Sequence, residues 1–133
     1  MSSSRGSMNL LFVCTKNKWR SPTAEALYAN HPNINTRSAG TTKSARKLIN
    51  LADIRWADII FVMEYKHKRY FEEQFRNQLN SKRLIVLDIP DDYQYMDKEL
   101  VEWLQESIDA HLSLIPTNTT SNIPTLPLKE DRL

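Results

Sequence analysis

Two short stretches of the chain are apolar at every position: Leu10-Leu11-Phe12-Val13 and Ile59-Ile60-Phe61-Val62-Met63. Each is shorter than a typical helix and lacks the alternation of a strand with one wet face, so both read as strands covered on both sides. Strands of that kind belong to parallel sheets whose crossover helices pack on the two faces. The first is expected over Asn9 to Cys14, at the centre of the sheet. A helix is expected over Pro22 to His31, with Ser21 as its cap, Pro22 at the first helical position, and Ala24, Leu27 and Tyr28 on one face. A short strand over Asn35 to Ser38 runs into Ala39-Gly40, and a short helix is expected over Lys43 to Ala52. After the strand Ile59 to Met63, the segment Tyr65 to Leu79 reads as an amphipathic helix with Tyr70, Phe71, Phe75 and Leu79 on its apolar side. Leu84 to Ile89 gives the last strand, and Asp97 to Leu114 a helix with Leu100, Trp103, Leu104, Ile108 and Leu112 at helical spacing. The expected fold is therefore a single α/β domain, an open parallel four-stranded sheet with helices on both faces and right-handed crossovers. In such sheets the ligand site lies beyond the carboxyl ends of the strands. Cys14, Gly40, Glu64 and the loop from Asp88 to Tyr95 all follow expected strand ends, so four segments should meet on one rim.

Composition sets the outer limits. The 133 residues suit one domain, and 41% apolar with 26% charged residues is the balance of a soluble globular protein. No apolar run approaches the ~20 residues needed to cross a bilayer, and a formal charge of +2 is too small to imply nucleic acid or a membrane surface. Residues 1–7 are small and polar, lack the apolar centre of a secretory signal, and read as a tag-like or loose arm before a plausible natural start at Met8. The domain is expected over 8–114 and an irregular tail over 115–133. These features suggest a cytoplasmic monomer without membrane or nucleic-acid partners.

Cys14 is the single cysteine, so no internal disulfide or cysteine-rich zinc site can form. Alone it would read as a small buried hydrophobe. Its neighbours say otherwise: Cys14-Thr15-Lys16-Asn17-Lys18-Trp19-Arg20-Ser21-Pro22 has the Cys-x5-Arg-Ser spacing of a phosphate loop, set between a buried strand and a helix start. Backbone N–H groups of such a loop and the positive end of the helix cradle a phosphate dianion. The same field favours a thiolate, the form in which a cysteine attacks phosphorus. Arg20 supplies a planar fork for two equatorial phosphate oxygens, which lysine cannot do. Ser21 can donate its hydroxyl to the sulfur when it departs. Asn17, mid-loop, tolerates the positive φ a turn often needs.

Val13, Cys14, Asn17, Arg20, Ser21, Pro22, Ala24 and Glu25 stand in register with Val-Cys-x-Gly-Asn-x-Cys-Arg-Ser-Pro followed by Ala-Glu, so this stretch resembles the active-site loop of low-molecular-weight protein tyrosine phosphatases. Ser38-Ala39-Gly40-Thr41 resembles their Ser-Ala-Gly-Thr segment, and Ile89-Pro90-Asp91-Asp92-Tyr93 their acid loop. The match runs from Met8 to about Leu112 and is most similar to a compact bacterial branch. The resemblance implies a phosphomonoester hydrolase working through a phosphocysteine on Cys14. Its substrate would be a phosphotyrosine protein or a small phosphomonoester, without metal or cofactor. Thr15, Lys16, Asn17, Lys18, Trp19 and Ser21 would bind the phosphoryl group, and Tyr93 would flank the substrate ring. Ser38 would join the network around Asn17. Asp91 would be the general acid, with Asp88 and Asp92 as rivals.

Three departures from the pattern matter. Lys16 replaces the loop glycine, and Trp19 replaces the second cysteine that shields the nucleophile as a disulfide. The segment after Ser-Ala-Gly-Thr is cut to Thr42-Lys43 before Ser44-Ala45-Arg46, so substrate specificity does not carry over. Competing readings are an arsenate reductase using an external thiol, a phosphocysteine carrier, and a phosphate-binding module without turnover. His31, His67 and His111 lack metal-ligand spacing and receive no role. The run Lys66-His67-Lys68-Arg69 reads as a solvated helix face.

Overall fold

A computed structural model describes residues 7–80 and 82–112; the expected tail over 115–133, and all of the expected arm but Ser7, lie outside the described residues. Four strands, β1 (Met8–Cys14), β2 (Ile34–Gly40), β3 (Ile59–Val62) and β4 (Arg83–Val86), form one sheet in the order β2-β1-β3-β4. Every neighbouring pair is parallel. The helices are α1 (Arg20–Tyr28), α2 (Leu51–Trp56), α3 (Tyr65–Phe75) and α4 (Lys98–Leu112). No helix among the described residues is long and apolar enough to cross a membrane.

The run of apolar residues in β1 is needed because both of its faces are covered. Successive side chains alternate across a strand, so Leu10, Phe12 and Cys14 join Tyr28, Phe61, Leu100, Leu104 and Ile108 in the core under α1 and α4. Leu11 and Val13 join Ile54, Ile60, Val62 and Phe71 under α2 and α3. The rings of Phe12 and Phe61 stack at 5.5 Å between centroids. Cys14 is thereby the last β1 residue on the α1 side. Beyond β1 the chain first moves outward to β2 and then returns to β3 on the other flank, so the strand order reverses beside the end of β1, where open α/β sheets hold their ligands.

Several element limits differ from expectation, each for a local reason. α1 begins at Arg20, so Ser21 is its second residue and does not cap it; the cap position falls to Trp19, which makes no side-chain capping bond. Pro22 still lies in the first turn, where a missing N–H costs no helical hydrogen bond. The expected helix over Lys43 to Ala52 is displaced, because residues 47–49 run back alongside Gly40. Gly40 N–H donates to the Lys47 carbonyl (2.8 Å) and Ile49 N–H to the Gly40 carbonyl (2.9 Å). The helix begins only at Leu51, where Asn50 accepts from Asp53 N–H (2.9 Å) and Asp53 accepts in return from Asn50 N–H (3.3 Å). Downstream, the helix from Tyr65 tightens into a 3-10 turn at Arg76–Leu79. β4 is shorter than expected because Asp88 takes φ 60°, although Leu87 and Ile89 still donate to the Val62 and Met63 carbonyls. Asn50→Ala removes the reciprocal cap of α2 and should cost about 1 kcal/mol, read as a lower urea midpoint with unchanged m-value.

Candidate active site

The four segments expected on one rim do meet there. Residues 14–20 leave β1 as a loop whose conformation is fixed from outside by the chain after β2. The Thr15 carbonyl accepts from Thr41 N–H (2.9 Å) and Thr42 N–H (3.2 Å), and the Lys16 carbonyl from Arg46 N–H (3.0 Å). The Asn17 carbonyl accepts from Arg46 Nε (3.0 Å). In a trans peptide C=O and N–H point in opposite directions, so the amide hydrogens of Lys16, Asn17 and Lys18 are directed away from residues 41–46. Asn17 has φ 56°, as its place in the loop suggested, whereas Lys16 needs no positive φ and the glycine it replaces is dispensable. Gly40, by contrast, is required: a Cβ there would lie 2.6 Å from the Thr15 carbonyl oxygen and 2.6 Å from Ala45 Cβ.

Over this loop lies a cavity of about 200 Å³ with Cys14, Thr15 and Arg20 in its wall. Lys16, Lys18, Trp19, Lys66 and Asp91 complete its lining. The uncapped N-terminus of α1 adds its partial positive charge. Cys14 Sγ is 3.0 Å from Ser21 Oγ, so the serine that does not cap the helix is turned onto the sulfur instead. Arg20 is almost wholly buried, 1% exposed. A buried guanidinium requires partners, and its Nη1 donates to Glu64 Oε2 (2.5 Å) and to the Ile89 carbonyl (2.7 Å). Its Nε faces Asp91 Oδ1 at 3.6 Å. Partial burial pushes the Glu64 carboxyl up, but the hydrogen bond and charge of Arg20, with Lys66, outweigh it and hold Glu64 below the ordinary carboxylate value.

Of the three acidic candidates, Asp91 alone lines the cavity over Cys14; Asp88 and Asp92 line an adjoining open groove with Glu64, Tyr65 and Lys66. Tyr93, expected beside the substrate, is drawn elsewhere: its ring meets Trp103 of α4 edge-on at 6.2 Å and packs against the apolar core. Asn17 and Ser21, expected to bind substrate, lie behind the loop with buried side chains. Asn17 Nδ2 donates to Ser21 Oγ (3.0 Å) and to Ser38 Oγ (2.8 Å), which places Ser38 in the network around Asn17. Among the described residues no cluster of His, Cys, Asp or Glu could hold a metal ion.

Sequence reasoning put Glu64 on the rim without foreseeing its bond to Arg20, and gave His67 no role. His67 is buried, with Nδ1 accepting from Glu64 N–H (3.0 Å). Burial first, then the Arg20 charge, pushes its pKa down to about 4. The ring is neutral at pH 7, its proton is on Nε2, and Nε2 donates to Thr15 Oγ1 at 2.9 Å. The Glu-x-x-His spacing after a strand end was the available signal, since it places residue N3 against the cap residue of the next helix.

No protein-family model and no curated protein matches the chain. Solved structures do. A low-molecular-weight protein tyrosine phosphatase from Streptococcus pyogenes superposes with TM-score 0.69 at 19% identity, covering 84% of this chain and 95% of that one. The tyrosine phosphatase Wzb from Escherichia coli K30, solved with phosphate, gives 0.67 at 20% identity over 83% and 99%. The YwlE arginine phosphatase from Geobacillus stearothermophilus gives 0.59 at 21% identity over 84% and 99%. The chain has the fold these proteins share.

The His67 ring links site and stability. Between its unfolded value of 6.5 and its folded value of about 4 the unfolded chain binds a proton that the folded chain does not. Stability should therefore fall by about 3 kcal/mol as pH drops through that window. Urea unfolding followed from neutral to acid pH should show this slope, and His67→Gln should flatten it.

Proposed function

We propose that the chain is a cysteine-dependent phosphomonoester hydrolase acting on phosphotyrosine in proteins, with Cys14 as nucleophile, Arg20 as phosphate clamp and Asp91 as general acid. The observation that carries this reading is the meeting of Cys14, Arg20 and Asp91 in one cavity, with the Ser21 hydroxyl 3.0 Å from the sulfur. Arg20 Nη1 is spent on Glu64 and Ile89, which anchors the guanidinium, while Nη2 and Nε, the latter 3.6 Å from Asp91 Oδ1, form the edge offered to two phosphate oxygens. In the first step the thiolate bonds to phosphorus, the ester P–O bond breaks, and Asp91 gives its proton to the departing oxygen. In the second, Asp91 takes a proton from water as the water oxygen bonds to phosphorus, and the S–P bond breaks. The leaving thiolate then receives the Ser21 hydrogen bond. A carrier or a binding module would not need an acid at this cavity, and an arsenate reductase would need a resolving thiol, which Cys14 lacks within this chain.

The solved neighbours include tyrosine and arginine phosphatases, and the charge around the cavity favours the first. Lys16, Lys18 and Lys66 line it with Arg20 against the one carboxylate of Asp91, so the guanidinium of phosphoarginine would meet an excess of like charge. The phenol of phosphotyrosine is neutral and can lie against the exposed ring of Trp19 or Tyr65. Phosphotyrosine peptides should be turned over faster than phosphoarginine, and added salt should narrow the gap.

With p-nitrophenyl phosphate, Cys14→Ser should abolish turnover while phosphate still binds, and Asp91→Ala should slow hydrolysis by roughly 10²–10⁴-fold. Full activity in Asp91→Ala together with its loss in Asp88→Ala or Asp92→Ala would move the acid to the adjoining groove.

A further inference from the structure

We propose that Glu25 is a positioning residue that sets the direction of a buried hydrogen-bond chain ending on the Cys14 sulfur, although it touches neither the sulfur nor the cavity above it. Ser38 Oγ donates to Glu25 Oε1 at 2.5 Å. An ionised carboxylate only accepts, so the one proton of Ser38 is committed to Glu25 and Ser38 can only accept from Asn17. Asn17 Nδ2 supplies that bond at 2.8 Å and a second to Ser21 Oγ at 3.0 Å. The Ser21 proton is then left for Cys14 Sγ at 3.0 Å, with the Ala39 carbonyl a longer alternative at 3.4 Å. Two amide hydrogens and two hydroxyl hydrogens serve four bonds, and the chain closes only if both ends, carboxylate and sulfur, accept.

The orientation of Asn17 is what makes the far end matter. The oxygen and nitrogen of an amide differ little in shape, so hydrogen-bond partners decide which points where. Asn17 is wholly buried and its Oδ1 has no partner among the described residues. Only the two serines hold the amide in place, and of these Ser38 is fixed by Glu25. Without an acceptor at position 25 the amide can turn over, so that both serines donate to Oδ1 and the Ser21 proton leaves the sulfur.

Charge alone predicts the opposite sign. A carboxylate near a thiolate repels it, so deleting Glu25 should ease ionisation of Cys14 if the acid acts only through space, whereas loss of the directed donor should hinder it. The other ionisable groups near the sulfur, Lys16, Lys18, Arg20, Lys66 and Asp91, are common to all variants below, as is His67 behind Thr15. So are Arg37, Arg46, Lys47 and Asp53, which line a groove with Glu25.

Because Cys14 is the only thiol, its alkylation by iodoacetamide can be followed against pH in the intact chain without any turnover, so the outcome does not depend on the phosphatase reading. Glu25→Ala should raise the pH of half-maximal alkylation by about one unit, the worth of one hydrogen bond to an anion. Ser38→Ala should shift it the same way. Glu25→Gln keeps a carbonyl for Ser38 and removes the charge, so it should stay at the parent value or fall below it. If Glu25→Ala and Glu25→Gln both shift the midpoint down, or neither shifts it, the proposal is overturned. Should Glu25→Ala not fold, an unshifted midpoint in Ser38→Ala overturns it equally.

Discussion

A guanidinium cannot be left bare inside a protein, and the burial of Arg20 organises everything around it. Its partners come from separate segments: Glu64 at the end of β3, the Ile89 carbonyl beyond β4, and Asp91 two residues later. Each is where it is because parallel strands end on the same side of the sheet. The fold thus gathers the counter-charges that make a buried cation tolerable, and the cation in turn fixes the loops beyond the strand ends. Asp88 shows the cost on that side, with a left-handed backbone that ends β4 and lets residues 89–91 swing over the loop. Losing Glu64 would leave the buried cation without its hydrogen-bonded counter-charge, which is far more damaging than losing a surface pair.

The loop itself is shaped from its other side. Carbonyls of Thr15, Lys16 and Asn17 are bound by residues 41–46, and the close approach this requires is possible only because position 40 has no Cβ. The short segment after Gly40 therefore holds the loop firmly. Thr42 and Arg46 still reach it, and the seat of Lys47 to Ile49 along Gly40 replaces the helix expected there.

Much of the architecture was legible because burial on both faces of β1 and β3 forces uninterrupted apolar runs, and periodicity reports burial directly. The loop from Cys14 to Pro22 was legible because a cysteine, a guanidinium fork and a helix start occur at fixed offsets. What escaped is the chemistry that tertiary contact assigns. Ser21 looks like a cap from the sequence, but the sulfur competes for its hydroxyl. Tyr93 sits two residues after Asp91 yet is claimed by Trp103. Glu64 and His67 stand at the head of a charged run that reads as a wet helix face. Only the return of β3 beside β1 brings that face against Arg20 and Thr15, with Lys66 between them outside.

The two sides of the loop thus carry different kinds of electrostatics. On the open side are exposed charges, Lys16, Lys18 and Lys66, whose pull on an anion is long-ranged and screened by salt. Behind it lie Asn17, Ser21, Ser38 and His67, neutral groups that are buried, where a hydrogen bond is stronger and its direction matters. The lysines can attract an anion but orient it poorly, because each offers only a point charge at the end of a long stem. The neutral groups hold their donors in fixed directions, so little reorganisation would accompany a change of charge at the Cys14 sulfur. A neutral His67 is part of that logic: its Nε2 hydrogen is committed to Thr15, and a second proton on Nδ1 would break the bond from Glu64 N–H and place another cation beside Arg20. The low pKa of this ring follows from its burial and from the Arg20 cation beside it.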